Sequence, residues 1–263
     1  MLAIDRTTYT LPDDKLSASR VRSFQTCPAC FEMEYILKIP RRVHIALPRG
    51  SALHAGVQVA RQAVIDEGTY STEDAVDAAV GVFRAELEKI DPANLDLGAN
   101  SSYLTPLDAA KDVEALTTAA VEQIVSTEVA IGIAAIEARV DFEGILPFFF
   151  DAYADVLLRD GTLKDLKSSG KKVEPDAWAR IQLLIYGLPW HHAGQRVQLQ
   201  IDQVTLPTKT QLTPSVQFHA VESAPANFDA AEKLVLQTAA AISTGIFPAR
   251  PSWACHYPHG FES

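Results

Sequence analysis

The chain has 263 residues, a length that one large domain, or one domain carrying a sizeable lobe, can fill. Hydrophobic residues make up 48% of the sequence and charged residues 21%, which excludes a disordered chain, and apolar runs such as residues 145–150 are too short to cross a membrane. The formal net charge of −10 argues against a protein that coats nucleic acid by bulk electrostatics, although a local basic groove would still allow a limited contact.

The chain start and the cysteines bear on the compartment. The first residues carry no basic stretch followed by an apolar one, so we expect no secretory signal and a cytoplasmic protein. Cys27, Cys30 and Cys255 are too few for a disulfide framework, which fits a reducing compartment.

The first half of the chain is predicted to be helical. Apolar residues at helical spacing predict a helical pair over residues 17–36, with Ser17 as the N-cap and a break at Pro28. A second helix is predicted from about residue 50 to residue 64, with His54 in its opening turns.

Two further helices complete this part. They are predicted over residues 72–90 and 105–125, with a loop over residues 92–102 between them. Because these helices contain little obvious chemistry, we interpret residues 1–130 as a helical region that covers one side of a core formed by residues 131–263, within one integrated domain.

The pattern changes near residue 131 to β-branched and aromatic runs. Three adjacent antiparallel strands are predicted, with a hairpin turn at residues 159–161 between the second and the third. A helix, two more strands and a final helix follow. The predicted strands span residues 136–142, 148–158, 162–166, 197–206 and 216–221, and the helices span residues 176–191 and 227–244.

Two carboxylates and a lysine lie in the predicted hairpin. Asp155 interrupts an apolar run, whereas Asp165 and Lys167 are two apart and share one face of the next strand. On paired strands both carboxylates can converge on one hard cation such as Mg²⁺ or Mn²⁺. Such a cation polarises a phosphodiester and lowers the pKa of a bound water, which Lys167 could orient. The pattern would suit metal-dependent hydrolysis, but Asp-x-Lys is a weak signal on its own, because exposed strands often alternate charges.

Three more residues are candidates for the same site. Gln182 and Tyr186 are four apart on the predicted helix, so an amide and a phenol would share the face turned to the sheet. The alternative is an ordinary helix whose tyrosine packs on the core. His54 offers an imidazole to the cation, although hard cations prefer oxygen and a lone histidine on a helix is often structural.

Basic side chains could form a local groove for DNA. The candidates are Arg41, Arg42, Arg49, Lys171 and Lys172, for which solvated surface charge is the alternative reading.

Five short motifs follow one another in the sequence. They are Ser17-Ala18-Ser19-Arg20 with Phe24, Cys27-Pro28 and Phe31; Gly50-Ser51-Ala52-Leu53-His54; Asp155; Asp165-Leu166-Lys167-Ser168-Ser169; and Gln182-Leu183-Leu184-Ile185-Tyr186. In this order they resemble the motifs of RecB-like nucleases of the PD-(D/E)xK superfamily. The resemblance implies a restriction-endonuclease-like fold, a mixed α/β core with a central mixed β-sheet flanked by helices, and an N-terminal helical lobe.

The resemblance also implies a role for each matching position. His54, Asp155 and Asp165 would be metal ligands, with the Leu166 carbonyl as the fourth, and Lys167 would be the catalytic lysine. Gln182 and Tyr186 would match a QxxxY motif that lies against the DNA strand near the scissile end. Glu137 matches a recurrent acidic position on the first strand, and we assign it no catalytic role.

Some relatives of this kind hold a four-iron cluster with one early cysteine and three late ones. This chain has Cys27 and Cys255 at two of those positions, and three cysteines cannot supply four thiolates, so we expect no iron-sulfur cluster. A structural zinc site at Cys27, Cys30 and Cys255, with His256 or His259, is the less favoured alternative to a hydrophobic clasp between the chain ends.

The sequence therefore predicts a Mg- or Mn-dependent deoxyribonuclease, an exonuclease that processes DNA ends in recombination or repair. A phage origin and a recombination or repair partner protein would suit it, and no membrane association is expected. The alternatives are a catalytically weak nucleic-acid-binding accessory subunit of the same fold, and a helical scaffold whose motif matches are coincidental.

Overall fold

Helices fill the first half of the chain, and a sheet with two long helices fills the second. This is seen in a computed structural model that describes residues 10–98, 103–170, 174–208 and 211–250. The α-helices described are α1 (Ala18–Thr26), α2 (Pro28–Phe31), α3 (Ala46–Glu67), α4 (Thr72–Glu88), α5 (Ala110–Ala120), α6 (Ser126–Ile131), α7 (Ala177–His192) and α8 (Pro225–Ser243). The strands described are β1 (Lys15–Leu16), β2 (Val43–His44), β3 (Leu95–Asp96), β4 (Ile133–Arg139), β5 (Phe149–Phe150), β6 (Tyr153–Leu158), β7 (Thr162–Ser169), β8 (Gln198–Thr205) and β9 (Ser215–Val221). None of the described helices is long and apolar enough to span a membrane.

The central sheet is mixed and has the strand order β4-β6-β7-β8-β9. The pairs β4–β6, β6–β7 and β8–β9 are antiparallel, whereas β7–β8 is parallel because α7 crosses from one to the other. The β6–β7 hairpin turns at Gly161, whose φ of 84° suits glycine, and the Asp160 carboxylate accepts a hydrogen bond from the Thr162 amide. The predicted trio of adjacent antiparallel strands is present.

Several predicted boundaries are wrong. The helix expected to end near residue 125 passes through a π-helical turn, Val121–Val125, and continues as α6 to Ile131. The first strand therefore begins at Ile133 rather than at residue 136. The single strand predicted over residues 148–158 is two strands, and β5 pairs with β1 near the chain start instead of extending β6.

The sheet is covered on both faces. Leu163 of β7 packs in a core cluster with Leu183 of α7 and Val235 of α8. Leu166, three residues later and on the other face, packs with Leu53 of α3 and with residues of α5. This architecture confirms the predicted mixed α/β fold with a central mixed sheet flanked by helices.

A buried ion-pair network joins the N-terminal helices to the sheet. It consists of Arg61 on α3, Glu128 on α6, Lys164 on β7 and Asp202 on β8, all at most 3% exposed. Arg61 donates two hydrogen bonds of 2.8 Å to the Glu128 carboxylate. Lys164 Nζ lies 2.7 Å from Asp202 Oδ2 and 3.4 Å from Glu128 Oε1. The two positive and two negative charges balance inside the protein, which is the arrangement that buried charges require.

The region of α1 and α2 packs on the segment that follows α8. Ser17 caps α1 as predicted, accepting a hydrogen bond from the Arg20 amide. The Phe247 ring stacks on Phe31 with centroids 6.1 Å apart, and the Arg250 amide donates to Cys27 Sγ at 3.4 Å. These contacts join α1 and α2 to residues 247–250, whereas the chain ends at which the clasp was expected lie outside the described residues. Cys27 and Cys30 are buried, whereas Cys255, His256 and His259 lie outside the described residues, so the zinc and cluster expectations stay untested.

Candidate active site

The β6–β7 hairpin brings the two aspartates together. Val156 pairs with Lys164, so Asp155 and Asp165 are the next residues along the two strands in that register. Beyond that point the Asp155 side chain reaches to β7, where its Oδ2 accepts a 2.6 Å hydrogen bond from the Leu166 amide. The contact holds one carboxylate beside the backbone that carries the other.

Lys167 and Gln182 form a hydrogen-bonded group around Asp165. Lys167 Nζ is 2.8 Å from Asp165 Oδ2 and donates to Gln182 Oε1 at 3.1 Å. The Gln182 amide donates to Asp165 Oδ1 at 3.1 Å and to the Tyr186 hydroxyl at 3.0 Å. The amide and the phenol therefore face the sheet, as their spacing on α7 predicts.

His54 reaches the same site from α3, one of the N-terminal helices that pack on the sheet. Its Nδ1 lies 3.2 Å from Asp155 Oδ1. Asp165 is 4% exposed at the side chain, whereas His54 is 32% and Lys167 is 34% exposed, so the carboxylate is deep and the imidazole and ammonium border solvent. The predicted residues His54, Asp155, Asp165, Lys167, Gln182 and Tyr186 thus form one connected constellation.

The two carboxyl groups differ in pKa. Burial raises the pKa of Asp165 to about 6, with Lys167 opposing the rise and the charge of Asp155 adding to it. Burial would also raise the pKa of Asp155, but the charge and hydrogen bond of His54 lower it to about 2. Burial opposes the charge on His54, yet the charge and hydrogen bond of Asp155 raise its pKa. Burial raises the pKa of Tyr186 well above its usual range, so this residue is a neutral phenol.

The donors at this site suit a hard divalent cation. Asp165 Oδ2 is buried and accepts no hydrogen bond, and the Lys167 ammonium lies 2.8 Å from it, so its lone pairs are open to a second cation. In the described part of the chain no group of three or more His, Cys, Asp or Glu side chains is already arranged to hold a metal. Asp155 Oδ1 lies 3.2 Å from His54 Nδ1 and Oδ2 accepts from the Leu166 amide, so a cation bound between Oδ1 and Nδ1 would replace the contact of Asp155 with His54.

Leu166 and Glu137 lie beside the carboxylates of the site. Leu166 has a fully buried side chain, and its amide contact with Asp155 keeps its peptide next to both carboxylates. Glu137, to which we assigned no role, has a left-handed backbone with φ of 44°, uncommon for glutamate. Burial raises its pKa, and the charge of Asp155 raises it further, which places Glu137 within the electrostatic reach of the site.

The residues of the buried ion-pair network were not singled out in the sequence. A charged residue at position 164 suggests a solvated strand face, and only the packing of α3 and α6 reveals its burial.

The basic residues proposed for a DNA groove do not share one surface. Arg49 is buried and lies 3.6 Å from Asp112, whereas Arg41 pairs with Glu34. Lys171 and Lys172 lie outside the described residues.

Comparison with known proteins places the chain in a family. The family model described as the PD-(D/E)XK nuclease superfamily matches residues 15–257. The crystal structure of a candidate exonuclease from Eubacterium rectale superposes with a TM-score of 0.56 at 13% identity, covering 90% of this chain and 84% of that one.

Two further solved structures are less similar. An alkaline exonuclease from Laribacter hongkongensis has a TM-score of 0.34 at 12% identity, covering 74% of this chain and 94% of that one. Its complex with dAMP has a TM-score of 0.28 at 16% identity, with 73% and 93% covered. No protein of curated function is significantly similar to the chain. Because the family model spans nearly the whole chain and contains every residue of the constellation, this protein belongs to the PD-(D/E)XK nuclease superfamily.

Proposed function

We propose that the protein is a divalent-metal-dependent deoxyribonuclease that degrades DNA from its ends. The observation that carries the proposal is the buried Asp165 carboxylate, which has one oxygen without a hydrogen bond, beside Asp155 and the partly exposed ammonium of Lys167. A buried acid pair with a lysine on its solvent side can bind a hard cation and a phosphodiester together. The family and the candidate exonuclease of similar fold support this class of reaction.

Asp155, Asp165 and His54 would hold the cation, with the Leu166 carbonyl completing the protein ligands. When bound, Mg²⁺ or Mn²⁺ polarises the phosphodiester and offsets the charge that develops during in-line displacement. Lys167 would donate a hydrogen bond to the attacking water or to a phosphate oxygen, since its ammonium is partly exposed. Gln182 contacts both Asp165 and Lys167 and so would fix their separation, while Tyr186 supports Gln182 from the next turn of α7.

The test compares Asp165→Ala and Lys167→Ala with the exposed controls Asp77→Ala and Lys233→Ala. We expect the first two variants to lose metal-dependent degradation of DNA by at least about 100-fold, because each removes a transition-state interaction, while their melting curves stay cooperative. Full activity in either variant would exclude this centre. Chelation should abolish the wild-type activity, and Mg²⁺ and Mn²⁺ should restore it.

End-labelled linear DNA and closed circular DNA separate exonuclease from endonuclease action. We expect linear substrates to disappear while circles survive, because the proposal requires a free end. Tight binding of DNA without cleavage of any substrate would instead favour the accessory-subunit alternative. A role in recombination or repair, a partner protein of that setting, a phage origin and a cytoplasmic location stay predictions from the sequence.

A further inference from the structure

A row of exposed side chains runs from the metal-binding carboxylates to the edge of the sheet. Tyr153 lies two residues before Asp155 on β6, so both side chains are on the same face, about 7 Å apart along the strand. Arg139 of the edge strand β4 is the direct partner of Tyr153. Tyr153 is 47% exposed, a large fraction for an aromatic residue, and Arg139 is exposed as well.

A cavity of about 200 Å³ continues this row beyond the end of β4. Its walls include Arg139, Phe148 and Phe149, and the acidic residues Asp141 and Glu143 also line it. The Arg139 guanidinium lies 5.3 Å from the centroid of the Phe149 ring, which is itself 46% exposed. The cavity therefore offers an aromatic face, a cation and hydrogen-bond acceptors within one small volume.

We infer that Tyr153, Arg139 and Phe149 bind an unpaired nucleobase next to the scissile phosphate. This inference rests on the proposed function. Aromatic rings stack on the faces of all four bases, and an arginine can pair with the adjoining phosphate. Asp141 and Glu143 repel phosphate but accept hydrogen bonds from exocyclic amino groups, so the base rather than the backbone should enter the cavity.

The position of the row defines the substrate. Tyr153 is about 7 Å from Asp155 along β6, so a base next to a phosphate held at the carboxylates would lie within reach of Tyr153 and of the cavity that Arg139 and Phe149 line. Bases within a duplex are already stacked on each other and cannot use this surface without unpairing. The substrate is therefore a single strand, or a duplex end whose last base has come free.

The experiment measures binding of a short single-stranded oligodeoxynucleotide that carries 2-aminopurine at its terminal base, in Ca²⁺ to hold back hydrolysis. We expect Phe149→Leu and Tyr153→Leu each to weaken binding about 5- to 150-fold, the range for one base-aromatic stack, and to reduce the fluorescence change of 2-aminopurine. Leu212→Ala is the control, because Leu212 is 84% exposed and lies between β8 and β9, at the opposite edge of the sheet. Blunt duplex should bind both variants within about twofold of wild type.

The outcomes separate this inference from the proposed function. If wild-type protein cleaves DNA but both variants bind the single strand and alter its fluorescence as wild type does, the base site is wrong and the nuclease proposal stands. If wild-type protein cleaves no DNA but binds the single strand, and Phe149→Leu weakens that binding, the base site is supported and the nuclease proposal is wrong. An equal loss of duplex binding would contradict base stacking. Should Phe149→Leu fail to fold, Arg139→Gln on the exposed edge strand replaces it, with a weaker affinity for the single strand expected.

Discussion

Glu128 is the residue on which the buried ion-pair network depends. Both of its oxygens accept hydrogen bonds from Arg61, and one of them also contacts Lys164. The substitution Glu128→Gln preserves the shape of the side chain but removes one of the two negative charges. Arg61 and Lys164 would then share the single carboxylate of Asp202 in a fully buried setting.

The expected cost follows from that imbalance. Removing one partner of a buried ion pair leaves an uncompensated charge and destabilises proteins by about 3–5 kcal/mol. In a chain of this size each kcal/mol lowers Tm by roughly 2–4 °C, so Tm should fall by roughly 6–20 °C. The control Glu122→Gln lies six residues earlier, is exposed, and should change the free energy of unfolding by less than about 0.5 kcal/mol.

The network should also affect the active site. Arg61 and His54 are seven residues apart on α3 and so lie on the same side of that helix. Loosening Arg61 from Glu128 should let α3 shift against β7, and His54 would move relative to Asp155. We therefore expect Glu128→Gln to require a higher metal concentration for half-maximal activity, with kcat at saturating metal less affected.

Urea denaturation and metal titration of activity test these expectations. The double variant Glu128→Gln with Lys164→Met restores charge balance, so it should recover at least about 1 kcal/mol relative to Glu128→Gln alone. A loss below about 1 kcal/mol in the single variant, without recovery in the double variant, would refute the view that these charges are buried and mutually dependent.

The remaining predictions concern the site and the helical lobe. The pKa of Asp165 rises from 3.8 to about 6 on folding, so its ionisation destabilises the metal-free protein as the pH rises through that range. Asp165→Asn should therefore raise the free energy of unfolding by about 1–3 kcal/mol at pH 7 but not at pH 3.5, as measured by thermal melts without metal. Asp155, whose pKa falls to about 2, contributes stability that is present above pH 3.8 and lost as the pH drops toward 2, so Asp155→Asn should flatten the acid-denaturation curve in that window. Gly56→Ala should cost about 1–3 kcal/mol, since its Cβ would lie 2.6 Å from the Ala75 carbonyl oxygen, whereas Gly81→Ala, with open space around it, should be neutral or stabilising by up to about 1 kcal/mol in the same melts.

The sequence alone determined the parts of the site that depend on local pattern. Alternation on β6 and β7, with turn residues between them, was enough to predict that Asp155, Asp165 and Lys167 share one face. Helical spacing likewise predicted that Gln182 and Tyr186 turn together toward the sheet. These predictions held because strand and helix periodicity are properties of the backbone itself.

The tertiary structure decided everything that depends on a distant partner. No local signal separates β5 from β6, because β5 exists through its pairing with β1 near the chain start. Lys164 and Arg49 are further examples, because the sequence alone would place charged residues such as these on the surface. In the fold, Lys164 is buried against Glu128 of α6, and Arg49 is buried beside Asp112. The sequence named His54 as a candidate and the resemblance placed it at the metal, but its distance from Asp155 is set by how the helical lobe packs on the sheet. Periodicity shows which face of a strand or helix a residue occupies. Whether that face is buried, and with what free energy, depends on the helix or strand that packs against it, and the tertiary structure decides which one does.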